Sequence, residues 1–202
     1  LLGQHPLPQS TTGIGHTRWA THGGPTDHNA HPHVSDDGRI AVIHNGIIEN
    51  FAPLRDELIA AGVMLSSETD SAIVAHLLAR ALPEVDQDLA AAMQSVCPRL
   101  EGAFTLVAMD PSDPSLVVGA RRNSPLVVGL GEGENFLASD VAAFVDHTRN
   151  ALELGQDQIV VVRADGVVVR DFAGTQVEAK PYVVDWDASA AEKGGYDLFM
   201  LK

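Results

Sequence analysis

The pattern of apolar and polar positions divides the chain into a loop-rich opening, a helical middle and a strand-rich second half. Residues 1–12 are rich in Gly, Pro, Ser and Thr and read as loop. Residues 13–19 make a short run that suits a strand, and residues 21–38 carry turn formers throughout. A loop of that length inside a domain is usually functional or disordered. Ile40-Ala41-Val42-Ile43 is a buried-strand run, with Asn45-Gly46 supplying the turn chemistry to end it. Asn50 then reads as an N-cap, with Pro53 in the first turn, Leu54, Leu58 and Ile59 at helical period, and Gly62 as the stop. Ser67 and Asp70 stand at capping-box spacing ahead of a second helix whose apolar face is Ile73, Val74, Leu77 and Leu78. A third helix is predicted over residues 89–96, ended by Pro98.

After Gly102 the texture changes. Apolar runs at 104–109, 116–120, 126–130, 136–138, 159–163 and 167–169 are separated by short turns of Pro, Gly, Asp and Asn, which predicts antiparallel meanders. Grouped helices followed by grouped strands give an α+β layered domain rather than an alternating α/β one.

Composition narrows the picture only a little. With 202 residues the chain can bury a full core. Its formal charge of −14 argues against a nucleic-acid or anionic-membrane partner. One cysteine, Cys97, cannot form an internal disulfide, which fits a reducing compartment; a buried helix position is expected for it. No apolar run approaches the ~20 residues of a membrane span, and the start does not resemble a signal peptide, so the cytoplasm is the expected location. The chain opens on Leu1 without a Met and stops mid-pattern in the apolar stretch 196–202, so a piece of a longer protein is expected.

The chemistry is concentrated in three stretches: Arg18-Trp19-Ala20-Thr21-His22-Gly23-Gly24-Pro25, Asn29-Ala30-His31-Pro32-His33 and His44-Asn45-Gly46. With Ile47-Ile48-Glu49-Asn50 after the third, and Ser67-Glu68-Thr69-Asp70 further on, this order of motifs resembles the class II glutamine amidotransferase domain. More narrowly, it is similar to the glutaminase half of the glutamine–fructose-6-phosphate aminotransferases. The resemblance implies an N-terminal-nucleophile hydrolase fold, a four-layer αββα sandwich with two antiparallel sheets. It also implies a cysteine nucleophile at the mature N-terminus, with its own α-amine as base. Leu1 offers no thiol, so that cysteine, the family's first strand and its first helix are expected upstream. The chain alone is expected to be inactive.

Carried over residue by residue, the resemblance gives Arg18 the α-carboxylate of L-glutamine, suited to a guanidinium fork, and Asp70 the α-ammonium. Thr21 and His22 would bind the same end of the substrate. Asn45 and the Gly46 N–H would form the oxyanion hole. Residues 18–25 would form the mobile loop that closes over glutamine, and Trp19 in it would be the gate residue between glutaminase and ammonia channel. Residues 1–195 would form the domain and 196–202 the start of a linker to a sugar-isomerase domain that takes fructose 6-phosphate. No metal or organic cofactor is implied, and a homo-oligomer is expected of the full-length protein.

Plainer structural readings exist for each residue taken singly. Arg18 could make a surface salt bridge, Asp70 could serve a helix dipole, Asn45-Gly46 could be a hairpin turn, and His76 reads as structural. Seven of nine histidines precede residue 45, and His28, His31 and His33 lie close in sequence, so a metal site is a rival. No Cys partner and no i, i+4 pair supports it. A non-catalytic module, or the glutaminase domain of a purine- or asparagine-forming amidotransferase, completes the alternatives.

Overall fold

The computed structural model describes residues 10–18 and 23–185. Trp19, Thr21, His22 and the expected linker 196–202 lie outside the described residues.

Among the described residues ten strands form two sheets, and every pairing is antiparallel. The larger, six-stranded sheet holds β1 (His33–Val34), β2 (Ala41–Ile48), β3 (Gly102–Met109), β4 (Val117–Arg122), β8 (Gln158–Arg163) and β9 (Gly166–Asp171), in that order. The four-stranded sheet holds β10 (Lys180–Val183), β7 (Asn150–Glu153), β5 (Val127–Leu130) and β6 (Asn135–Ala138). The chain therefore leaves the first sheet after β4, builds three strands of the second and returns with β8 beside β4. A simple meander would have kept β5 next to β4.

Period-2 alternation sorts the strands into layers. Phe104, Leu106 and Ala108 of β3, Val118 and Ala120 of β4 and Ile159 of β8 share one core with α1 (Phe51–Ala60), α2 (Asp70–Ala81) and α3 (Leu89–Val96). The residues between them point the other way. Val107, Val160 and Val162 meet Val128 of the second sheet, and Leu126 just before its strand, in a core between the sheets. Val127, Ala151, Phe144, Val145 and Val184 form a third cluster on the far face of the second sheet. Among the described residues this is one helical layer on two sheets. The far face is covered by the 3-10 turn Val141–Ala143 and by Phe144.

Several local expectations need correction. Residues 13–18 form no strand. Asn45-Gly46 does not end a strand, because β2 runs through it to Ile48 and pairs with β3 along its whole length. Asn50 stands at the N-cap position of α1 as expected, but its side chain makes no capping bond and spans instead to the Arg99 carbonyl and the Glu101 N–H. The cap of α2 is Thr69, whose Oγ1 accepts from the Ala72 N–H, and not Ser67. Three strands were not anticipated: β1, with two residues, β7, with two apolar residues, and β10, an exposed edge strand carrying Pro181. The third helix matches its predicted bounds and passes into a 3-10 turn, Cys97–Arg99, that contains Pro98.

Candidate functional site

The site is built where β2 passes the start of α2. Alternation along β2 turns His44 toward the helix, where its Nδ1 meets the Ser71 hydroxyl at 2.8 Å. Asn45 consequently points to the opposite face, toward the loop that carries His16. The His16 Nε2 and the Asn45 Oδ1 are 2.8 Å apart. Gly46 follows with a φ of +119°, inside a strand, and a Cβ there would collide with the Ala103 carbonyl on β3. Only glycine fits this position.

A cavity of about 330 Å³ opens at this junction. Arg18, Asn45, Gly46 and Asp70 all line it, together with His16, His31 and His44. The volume falls at the small end of the ~300–1,000 Å³ usual for small-molecule sites. The Arg18 guanidinium is oriented by two backbone carbonyls, Gly24 at 2.9 Å and Gly23 at 3.1 Å. The Gly24 carbonyl also accepts from Asn29 Nδ2, and Asn29 Oδ1 accepts from the Ser67 hydroxyl and the Glu68 N–H. Ser67, expected to cap a helix, thus ties the 23–29 loop to the approach of α2.

Asp70 is the first residue of α2 and only 2% exposed. Its Oδ2 accepts from the Ile48 N–H at 2.9 Å, which fixes the carboxylate against the end of β2. Among the described residues its Oδ1 receives only a long contact, 3.5 Å, from the Ser71 hydroxyl. A carboxylate held by one oxygen at a helix N-terminus presents the other to a cationic group.

Four histidines cluster around the cavity. His31 packs against His16 with ring centres 4.1 Å apart and meets His33 edge-on at 4.8 Å. His33 Nε2 lies 3.0 Å from the Thr69 hydroxyl. Burial is the main cause that keeps three of them neutral. His31 is lowered to about 3, with His16, His33, His44 and Arg18 adding to the effect of burial. His33 is lowered to about 4 by burial and then Arg18, against the pull of Asp70. His44 is also lowered to about 4 by burial, with Asp70 opposing and His16 and His33 adding. At neutral pH these rings are polar and uncharged, so Arg18 and Asp70 supply the formal charges.

The cluster differs from the one sequence spacing suggested. His28 is exposed on the 3-10 turn Asp27–Asn29, while His16 and His44 join His31 and His33. Among the described residues no group of three or more His, Cys, Asp or Glu is placed to hold a metal ion. Cys97 is fully buried in the helical core, and burial pushes its thiol far above the usual range despite the opposing charge of Arg122. His76 is buried too, accepting from the Asp36 N–H through Nδ1. His16 is the residue that sequence reasoning did not assign; a single loop histidine, 29 residues from its partner, carries no local signal.

Residues 16–146 match the glutamine amidotransferase domain family. The chain belongs to that family. It is 67% identical over 201 residues to a glutamine–fructose-6-phosphate aminotransferase [isomerizing] of Streptomyces coelicolor, covering all of this chain and 32% of the relative. Identity is 56% over 199 residues to the enzyme of the same name from Mycobacterium tuberculosis, again covering 32% of that protein. The chain thus spans about a third of the length of these relatives.

Among solved structures, the Bacillus subtilis glutamine phosphoribosylpyrophosphate amidotransferase superposes with a TM-score of 0.63 at 22% identity, covering 78% of this chain and 34% of that one. A structure titled as the allosteric regulatory enzyme of purine biosynthesis gives 0.64 at 25%, with the same coverage. The amidotransferase domain therefore has the N-terminal-nucleophile hydrolase fold shared with these enzymes. Identity is 67% and 56% to the two fructose-6-phosphate aminotransferases and 22% and 25% to these two solved structures.

Proposed function

We propose that this chain is the glutaminase part of a longer aminotransferase, releasing ammonia from L-glutamine for the conversion of fructose 6-phosphate to glucosamine 6-phosphate. The observation that supports it best is the meeting of Arg18, Asn45, Gly46 and Asp70 around one cavity, from segments up to 52 residues apart. Arg18 and Asp70 are opposite charges suited to the two ends of a zwitterion. Arg18 takes the α-carboxylate and Asp70 the α-ammonium, which directs the γ-amide toward β2. Asn45 and Gly46 receive the oxygen that becomes negative when a thiolate adds to that amide carbon. Collapse of the tetrahedral adduct releases ammonia and leaves a thioester, and water then returns the thiol and glutamate. The cysteine that begins this sequence of steps is not supplied here, since Cys97 is sealed in the core.

The second half of the reaction belongs to a sugar-isomerase domain reached through the 196–202 linker. Residues 1–195 are the glutaminase domain. Thr21 and His22 as substrate-binding residues and Trp19 as the gate residue are carried by the resemblance alone. A homo-oligomeric enzyme of the cytoplasm fits the reading; among the described residues no helix is long and apolar enough to cross a membrane.

The test is Asn45→Ala in the full-length protein. An oxyanion donor acts only as charge develops, so KM for glutamine should hold while kcat falls. The expected loss is on the order of 10²–10³, about 3–4 kcal/mol. Normal turnover per folded molecule, with a lowered melting temperature, would reduce Asn45 to a structural residue.

A further inference from the structure

We propose that His16 is the positioning residue that fixes the Asn45 side-chain amide with its NH2 group toward the cavity. The role deepens the glutaminase reading and rests on it.

A carboxamide has two faces, and only one stabilises an oxyanion. If Asn45 presented Nδ2 to the cavity it would donate to developing negative charge; reversed, it would present Oδ1 and repel it. β2 does not select between the two, because a half-turn of the terminal torsion interchanges them. The selection falls to whatever touches the other face of the amide, and that is His16 Nε2 at 2.8 Å from Oδ1. Among the described residues Nδ2 itself has no hydrogen-bond partner, which leaves it for a ligand.

The tautomer of His16 follows from its second nitrogen. Among the described residues, Nδ1 is buried with no hydrogen-bond partner. With the proton on Nε2, His16 donates to Asn45 Oδ1 and the orphan is an acceptor. With the proton on Nδ1, the orphan is a buried N–H, the rarer and less tolerated case. That second tautomer would also make Nε2 an acceptor and draw Asn45 Nδ2 away from the cavity. The buried orphan selects the Nε2–H form, and that form keeps Nδ2 toward the cavity.

The ring is held in turn by the loop opposite. His31 packs on it at 4.1 Å, tilted by 40°, and His31 is itself backed by His33. His33 reaches the Thr69 hydroxyl, which caps the helix that begins with Asp70. The chain of contacts His16–His31–His33–Thr69 thus couples the orientation of the oxyanion donor to the element that carries the ammonium-binding carboxylate.

The experiment is kinetic and uses the full-length enzyme with glutamine as substrate. Gln at position 16 can place an amide N–H near the position of Nε2, whereas Asn is too short and Phe has no donor. His16→Phe and His16→Asn are expected to lower kcat by about 10–100-fold with KM unchanged, and His16→Gln to restore most of it. In an Asn45→Ala background, His16→Phe should add nothing further, because the two residues act as one unit. Full turnover in His16→Asn alongside a damaged Asn45→Ala enzyme would overturn the proposal, as would losses that multiply in the double variant. An Asn45→Ala enzyme with intact kcat would instead overturn the oxyanion reading itself, and the His16 role with it. Thermal melts of His16→Asn and His16→Gln, two polar variants of similar size, separate misfolding from misorientation.

Discussion

Arg18 shows how much of this site is decided one residue at a time. Its guanidinium donates to the Gly23 and Gly24 carbonyls. Those bonds cost the chain little, since the carbonyls belong to a loop with no ladder to satisfy, and they hold the side chain against the cavity. In the full-length enzyme Arg18→Ala is expected to raise KM for glutamine, since loss of a charge paired with a bound carboxylate costs about 2–5 kcal/mol. Synthesis driven by free ammonia should change far less. Arg18→Lys should recover only part of the loss, because a point charge cannot reproduce the fork. An unchanged KM in Arg18→Ala would take it out of the substrate clamp. At this scale the sequence was legible wherever chemistry depends on residue type: a cation, a carboxylate and an amide followed by glycine. It was silent on His16 and on Thr69. Nothing in a lone loop histidine names a partner 29 residues away, and Ser67 and Thr69 are equally good caps until the backbone bends at one of them.

At the scale of elements, the informative failure is Asn45-Gly46. As local sequence it is a hairpin signal, since both residues tolerate positive φ. In the fold it is the middle of an eight-residue strand, and the left-handed φ of Gly46 is accommodated without breaking the β2–β3 register. Long-range pairing with β3 overrides the turn propensity, while the glycine is still used for its conformational freedom. Gly46→Ala is therefore expected to destabilise the protein by more than the ~1–3 kcal/mol of an unfavourable backbone region, because the added methyl also meets the Ala103 carbonyl. Denaturant unfolding of the variant checks it, and a loss below 1 kcal/mol, on the scale of an ordinary surface change, would mean that β2 relaxes freely here. Strands and helices with dense apolar runs were legible to within a few residues. The edges were not: β10 is exposed along its length and β7 pairs only two apolar residues with two polar ones, so neither shows an alternation for the eye to find.

For the molecule as a whole, the buried histidines tie the site to global stability. An unfolded chain binds a proton on each imidazole near pH 6.5, whereas folded His44 stays neutral down to about pH 4. Between those values the unfolded state holds more protons, so stability rises with pH across the window and falls as pH is lowered through it. Above pH 6.5 both states are neutral and His44 adds no pH dependence; below about pH 4 both are protonated and the loss is complete. His44 is only 4% exposed, so its slope should approach the limit of about 1.4 kcal/mol per pH unit for one group. His31 and His33, lowered to about 3 and about 4, act in the same direction. The carboxylates of an acidic chain titrate mainly at the lower end of this range, so the upper part, from pH 6.5 to 5, isolates the imidazoles. Chemical denaturation at pH 7 and pH 5 should show the protein markedly weaker at pH 5, with the difference reduced in His44→Gln. Equal stability at the two pH values would mean that the histidine cluster is hydrated and protonates in place. The cavity walls would then carry positive charge, and Asp70 would face these imidazolium groups as well as the substrate's ammonium.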